Sequence, residues 1–113
     1  MVQRLELGQV TKEMIARYAE AIGDFNPVHL DEDFAKRAGL PSVIAHGPLT
    51  GALFINAVLC SGRPGRTTGF DLRFKEPVFP GDRLTASEAG DGSFEITDSN
   101  GRVKATAVLR EMP

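Results

Sequence analysis

Pro48-Leu49-Thr50-Gly51-Ala52-Leu53-Phe54-Ile55-Asn56-Ala57-Val58-Leu59-Cys60 is the stretch on which the fold turns. Wound as a helix, it is apolar nearly all round, which predicts a buried central helix rather than a surface one. Pro48 fits the first helical position, where its fixed φ costs nothing and its missing N–H has no partner to lose. Gly51 and Ala52 are small, so another backbone is expected to approach closely there. Cys60 has no activating neighbour in sequence and is expected to be a buried apolar residue. A helix of this kind has to be enclosed, and the remaining sequence must supply the cover.

Downstream the periodicity changes from helical to alternating. Ser61-Gly62-Arg63-Pro64-Gly65 is a loop, and residues 67–76 alternate around Phe70, Leu72 and Phe74 as a strand does. Pro77 to Asp82 forms a stiff connection. Residues 84–89, 93–97 and 103–110 read as three more strands, with Asp91-Gly92 and Asn100-Gly101 as hairpin turns between them. Upstream, Leu5 and Leu7 mark a weak first strand that Gly8 is expected to end. Residues 12–22 form a short amphipathic helix, with Thr11 as N-cap, Glu13 at its positive end and Gly23 as its stop. Asn26-Pro27 then prevents the helix from continuing and reads as a loop. Asp31 caps a second short helix through Ala38, stopped at Gly39. Helices first and an antiparallel meander second make an α+β pattern of about five strands, in which only helix 48–60 is long and apolar enough to cover the sheet.

A length of 113 residues predicts one domain, residues 1–113. Hydrophobic residues at 42% and charged residues at 25% place the chain among ordinary soluble globular proteins. A net charge of −2 argues against nucleic acid as a partner, because phosphate backbones select basic surfaces. Cys60 is the single cysteine, which excludes an internal disulfide, and no Cys/His cluster with metal-ligand spacing exists. No metal and no bound cofactor are therefore expected. The first residues lack the apolar core of a secretory signal, and no run has the length of a membrane helix. A reducing cytoplasm is the expected compartment, with no membrane association.

Two places carry reactive residue types. Asp24 and His29 flank Phe25-Asn26-Pro27-Val28. An acid and an imidazole that meet can share general acid–base work near neutral pH. The blander reading is that Asp24 caps a turn and His29 is an ordinary hydrogen-bonded histidine, and taken alone it is the stronger. At His46-Gly47-Pro48, Gly47 places a backbone N–H at the start of the buried helix, a donor suited to a developing oxyanion. The alternative is that Gly47 only makes the turn and His46 packs beside it. Arg63 and Arg66, or Lys36 and Arg37, have the chemistry to hold phosphates, although solvated charge is the simpler reading of each. Phe70, Phe74 and Phe79 read as core or interface.

Together these signals resemble a known family. Tyr18-Ala19-Glu20-Ala21-Ile22-Gly23-Asp24-Phe25-Asn26-Pro27-Val28-His29-Leu30-Asp31 is similar to the hydratase motif of MaoC-like, (R)-specific enoyl-CoA hydratases. Ala35, Ala45-His46-Gly47-Pro48-Leu49 and Phe74-Lys75-Glu76-Pro77-Val78-Phe79-Pro80-Gly81-Asp82 match the same family in the same order, so the resemblance covers nearly the whole chain. It implies a hot-dog fold, with a long helix wrapped by an antiparallel sheet, and pairing of two copies into a homodimer or a dimer-based oligomer. It implies catalysis by Asp24, His29 and the Gly47 N–H, with Asn26, Pro27, His46, Pro48 and Leu49 shaping substrate binding. The implied substrate is an acyl-CoA or acyl-carrier-protein thioester, and the implied reaction adds water to a trans-2-enoyl thioester to give the (3R)-hydroxyacyl product. A dehydratase for a carrier-bound or specialised thioester, and a non-catalytic acyl-thioester-binding module, are the alternatives. A hot-dog thioesterase would place a carboxylate on the central helix, and residues 48–60 contain none. Many relatives carry a small polar residue in the central helix, where this chain has Gly51, Ala52 and Ile55; Thr50 or Asn56 is the candidate replacement. The short hairpins after Asp82 suggest short or medium acyl chains.

Overall fold

In a computed structural model describing residues 2–112, strand β1 spans Arg4–Gln9 and helix α1 Lys12–Ile22. Helices α2 (Pro27–Leu30), α3 (Glu32–Arg37) and α4 (Gly47–Cys60) follow. Strands β2 (Arg66–Phe74), β3 (Arg83–Gly90), β4 (Ser93–Thr97) and β5 (Val103–Met112) complete the chain. The strands form one antiparallel sheet in the order β1-β3-β4-β5-β2. Helix α4 lies against its inner face. This is the hot-dog architecture, and it places β1 and β2 at the two edges.

The packing follows from alternation along the strands. Leu84 and Ala86 of β3, Phe94 and Ile96 of β4, and Ala105, Ala107 and Leu109 of β5 point into the core. Phe54 of α4 is fully buried and meets Phe94 edge-on at 5.1 Å and Phe70 at 5.7 Å between ring centroids. Burying one such ring contributes roughly 1.5–3 kcal/mol. At the β3–β4 turn, Asp91 (φ 53°) and Gly92 (φ 79°) both adopt left-handed conformations, the requirement of a two-residue hairpin turn. Helix α1 is capped as its sequence predicts: Thr11 accepts from the Met14 N–H, and Gly23 closes the C-terminus onto the Ala19 carbonyl.

Several expectations are corrected. Gly8 does not end β1; the strand continues to Gln9 through a register shift between Glu6 and Gly8, and glycine there takes φ 89°. Asn26-Pro27 does not remain a loop. Pro27 begins the one-turn helix α2, and Asn26 caps it by accepting from the Val28 N–H, because proline at N1 needs no donor. Gly51 is approached by the Phe70 and Leu72 side chains, not by a backbone. Cys60 is exposed. In the single chain α4 is not enclosed on all sides, and Leu59 stands 67% exposed.

Arg63 is also not a surface charge. Its guanidinium spans two carboxylates: Nη1 and Nη2 donate to Glu88 at 2.8 and 2.9 Å, while Nε and Nη2 donate to Glu111 at 2.8 and 3.1 Å. The buried Glu88 carboxylate also accepts the backbone N–H groups of Gln3 and Gly92. The Arg63 hydrogen bonds, with those two N–H groups, hold the Glu88 pKa down at about 2 against burial. The network ties the loop after α4 to Gln3, just before β1, and to β3 and β5, and leaves Arg63 no donor edge for a phosphate.

Candidate active site

Helix α1 delivers Asp24 because it stops at Gly23. The Asp24 N–H bonds the Ala19 carbonyl at 3.0 Å, and Asp24 Oδ1 accepts from the Asn26 N–H at 3.2 Å. Asn26 in turn caps α2, and that single turn carries His29 back toward Asp24. The bland reading of each residue is therefore correct, since Asp24 does make a turn and His29 is hydrogen-bonded. It is also incomplete, because the same turns bring the two together.

His29 is held from its far side. Its Nδ1 lies 2.7 Å from the Ile44 carbonyl oxygen. A carbonyl only accepts, so Nδ1 carries the proton in the neutral ring and Nε2 carries the lone pair. His46 stacks on this ring, with centroids 3.8 Å apart and planes 25° from parallel. The donor atoms of Asp24, His29 and His46 all lie within 4.8 Å of one another. Acid and base are half-buried, while His46 is buried. Three such donors have the composition of a metal site. Each imidazole commits one nitrogen to a backbone carbonyl, which fixes its tautomer and leaves the lone pair of the other nitrogen free to hold a water or an ion. With the half-buried Asp24 carboxylate beside them, the same atoms can share a water.

Gly47 follows His46 directly and opens α4. As a first-turn residue its N–H has no intrahelical acceptor. The segment leading into it is pinned by the Ala45 N–H bonding the Val78 carbonyl at 2.8 Å. Val78 lies in the 77–82 connection, which the buried Lys104 holds by donating to Pro77 O at 2.9 Å. A cleft of about 340 Å³, lined chiefly by Ile44, Gly47, Thr50, Phe74 and Val78, opens beside Gly47. Asp24 and His29 do not line it. A larger cleft of about 650 Å³ surrounds Arg63 and Glu88, in which Arg63, Glu88 and Glu111 are already paired with each other.

The remaining expected site residues fall in different places. Asn26 and Pro27 are exposed and build α2. His46 is buried and turned toward Asp24 and His29. Pro48 is exposed, and Leu49 is buried in the core at 5% exposure. Asn56 faces the exposed side of α4, where it accepts from Cys60, and is remote from the catalytic loop. Three participants were not singled out from sequence. The Ile44 carbonyl is a backbone group and leaves no mark in a sequence. Tyr18, edge-on to His46 at 5.3 Å, reads only as part of an apolar helical stripe. Phe74, read as core or interface, lies so near Gly47 that a Cβ there would sit 3.0 Å from its ring.

A hot-dog domain with an acid–imidazole pair beside the start of its central helix is the class defined so far. The family described as MaoC like domain matches residues 3–110. The chain belongs to that family. It is 38% identical over 94 residues to the (R)-specific enoyl-CoA hydratase of Aeromonas caviae, covering 74% of this chain and 69% of that protein. It is 43% identical over 65 residues to the peroxisomal enoyl-CoA hydratase 2 of Arabidopsis thaliana, covering 55% of this chain and 21% of that protein. The unliganded R-hydratase PhaJ1 from Pseudomonas aeruginosa superposes with a TM-score of 0.81 at 26% identity, over 96% of this chain and 77% of that one. The chain thus spans about a fifth of the length of the plant relative. Among the described residues, no helix is long and apolar enough to cross a membrane.

Proposed function

We propose that this chain is an (R)-specific enoyl-CoA hydratase, a hydro-lyase that adds water across the double bond of a trans-2-enoyl thioester. The observation that carries the reading is the convergence of Asp24 with a His29 whose Nδ1 is fixed to the Ile44 carbonyl. That bond directs the Nε2 lone pair to the reaction. Asp24 and His29 Nε2 hold one water between them. Nε2 takes a proton from the water as its oxygen bonds to the β-carbon. The π electrons shift toward the thioester carbonyl, giving an enolate-like oxygen that the Gly47 N–H stabilises. The imidazolium, held by Asp24, then gives its proton to the α-carbon on the same face, leaving the (3R)-hydroxyacyl thioester. Dehydration is this sequence reversed and uses the same atoms. A positioned acid–base group contributes roughly 10²–10⁴-fold, and an oxyanion donor about 3 kcal/mol of barrier.

The cleft beside Gly47 is near the small end of ligand pockets, about 300–1,000 Å³, which favours short or medium acyl chains. Pairing with a second copy of the chain is supported by β2 at an open sheet edge and by Leu59 exposed on α4. A homodimer in the cytoplasm acting on CoA thioesters is the working assignment, with no cofactor or metal. Loss of the conjugated enoyl-thioester absorbance tests it, using acyl-CoA and carrier-protein substrates of several lengths. Wild type should turn over, and Asp24→Asn and His29→Ala should each lose at least about 100-fold in kcat. A wild type inert on every substrate would leave a non-catalytic binding module as the better reading.

A further inference from the structure

His46 has a role of its own in this arrangement. It occupies the N-cap position of α4, where a side chain ordinarily accepts a hydrogen bond from the first turn. This one does not cap its helix. Its Nε2 instead reaches 22 residues back, to the Asp24 carbonyl oxygen at 3.1 Å. Because that oxygen only accepts, Nε2 carries the proton and Nδ1 of the neutral ring carries the lone pair. Nδ1 is buried and has no hydrogen-bond partner. An unpaired buried acceptor is a cost to folding, and a phenyl ring of the same outline would avoid it. A phenyl ring would leave the Asp24 carbonyl without its donor, so the fit of a flat ring to the core does not by itself account for an imidazole here.

Two features do. The Nε2–H anchors the backbone of Asp24, and the flat ring, only 1% exposed, is a floor for His29 at 3.8 Å. Tyr18 of α1 closes on the ring from its edge. Through the peptide bond to Gly47, the same residue joins both groups to the start of α4. We propose that His46 is a positioning residue, a buried post that sets Asp24 and His29 in register with the Gly47 N–H. It does not touch substrate. Misplacement of reacting groups by about 1 Å can cost roughly 10²-fold in rate, so the post governs turnover more than affinity. The inference rests on the hydratase reading above and adds to it the residue that assembles the site.

Two substitutions separate the two features. His46→Phe keeps the flat ring and removes the Nε2–H; His46→Gln keeps an N–H donor and removes the ring. With a four-carbon trans-2-enoyl-CoA as substrate, each should lower kcat by roughly 10- to 100-fold. KM should change less than about threefold, and melting should show a folded protein. The pH profile of kcat/KM should also change shape, whereas loss of folded protein alone would scale the profile evenly. Wild-type kcat in both variants, or an evenly scaled profile, overturns the proposal. Nitrogen-15 NMR of the imidazoles in wild-type protein supplies a readout that needs neither variant folding nor catalysis. Proton-bearing Nε2 on His46 and proton-bearing Nδ1 on His29 are expected, and a His46 protonated at Nδ1 alone overturns the proposal. A wild type without hydratase activity would count against the proposed function, while the NMR result would still decide the geometry argued for His46.

Discussion

Replacing Glu88 with Gln should destabilise the protein at neutral pH and progressively less as pH falls. The Glu88 carboxylate accepts two Arg63 N–H groups and the backbone N–H groups of Gln3 and Gly92. Arg63 beside it is the largest cause of a folded-state pKa of about 2, against an ordinary value of 4.5. A depressed folded pKa means that the unfolded chain binds the proton more readily. The stabilisation is then complete above pH 4.5 and is lost as pH falls through about 2. The interval from 4.5 to about 2, at about 1.4 kcal/mol per pH unit, amounts to about 3 kcal/mol. Glutamine retains hydrogen-bonding capacity but cannot titrate. Urea unfolding of wild type and Glu88→Gln, followed by circular dichroism at matched concentration, isolates this group from the other carboxylates. The stability difference should be larger at pH 6 than at pH 3 by about 2 kcal/mol, since half or more of the effect is gone by the lower pH. A difference that stays flat between those two values would refute the assignment of the buried charge to this network.

Arg63→Ala should be worse than Glu88→Gln, because it strands a buried carboxylate; a loss of roughly 3–5 kcal/mol is expected in the same urea assay. Gly47→Ala should push its new methyl group against the Phe74 ring, 3.0 Å away, and displace the oxyanion donor. Its kcat should fall on the order of 10²-fold, and Phe74→Leu in the same chain should restore part of it. Gly51→Ala has the opposite outcome: its methyl group meets Phe70 and Leu72 at ordinary contact distances of 3.5 and 3.7 Å. Helix propensity then predicts a gain of up to about 1 kcal/mol, measurable as a rise in Tm. Thr11→Ala, which removes the cap on Met14, should cost about 1 kcal/mol.

Much of the architecture was legible because it rests on local rules. Thr11 and Gly23 bound α1 through capping chemistry that needs no tertiary partner. Asp91-Gly92 specifies its turn because two consecutive left-handed residues are needed there. The alternation in β3 to β5 assigns their inner faces, and the apolar run from Leu49 to Leu59 identifies the helix that covers them. Gly8 was misread because glycine marks a strand end and a bulge equally well, and only pairing with β3 separates them. Cys60 and Leu59 were misread because composition tells how apolar a helix is, not which residues of its last turn the rest of the chain covers.

The site divides in the same way. Sequence alone determined which residues bring chemistry: an acid at 24, imidazoles at 29 and 46, and a bare N–H at 47. Motif resemblance joined them into one reaction. Which nitrogen of the neutral His29 ring carries the lone pair depended on a carbonyl 15 residues away, at Ile44. The pairing of Arg63, equally readable as a phosphate ligand, depended on Glu88 and Glu111 arriving from two other strands. Caps and turns are set by neighbours within a few residues, so they are written locally. The direction of a lone pair and the partner of a buried charge are set by atoms that only the folded chain brings within hydrogen-bonding distance.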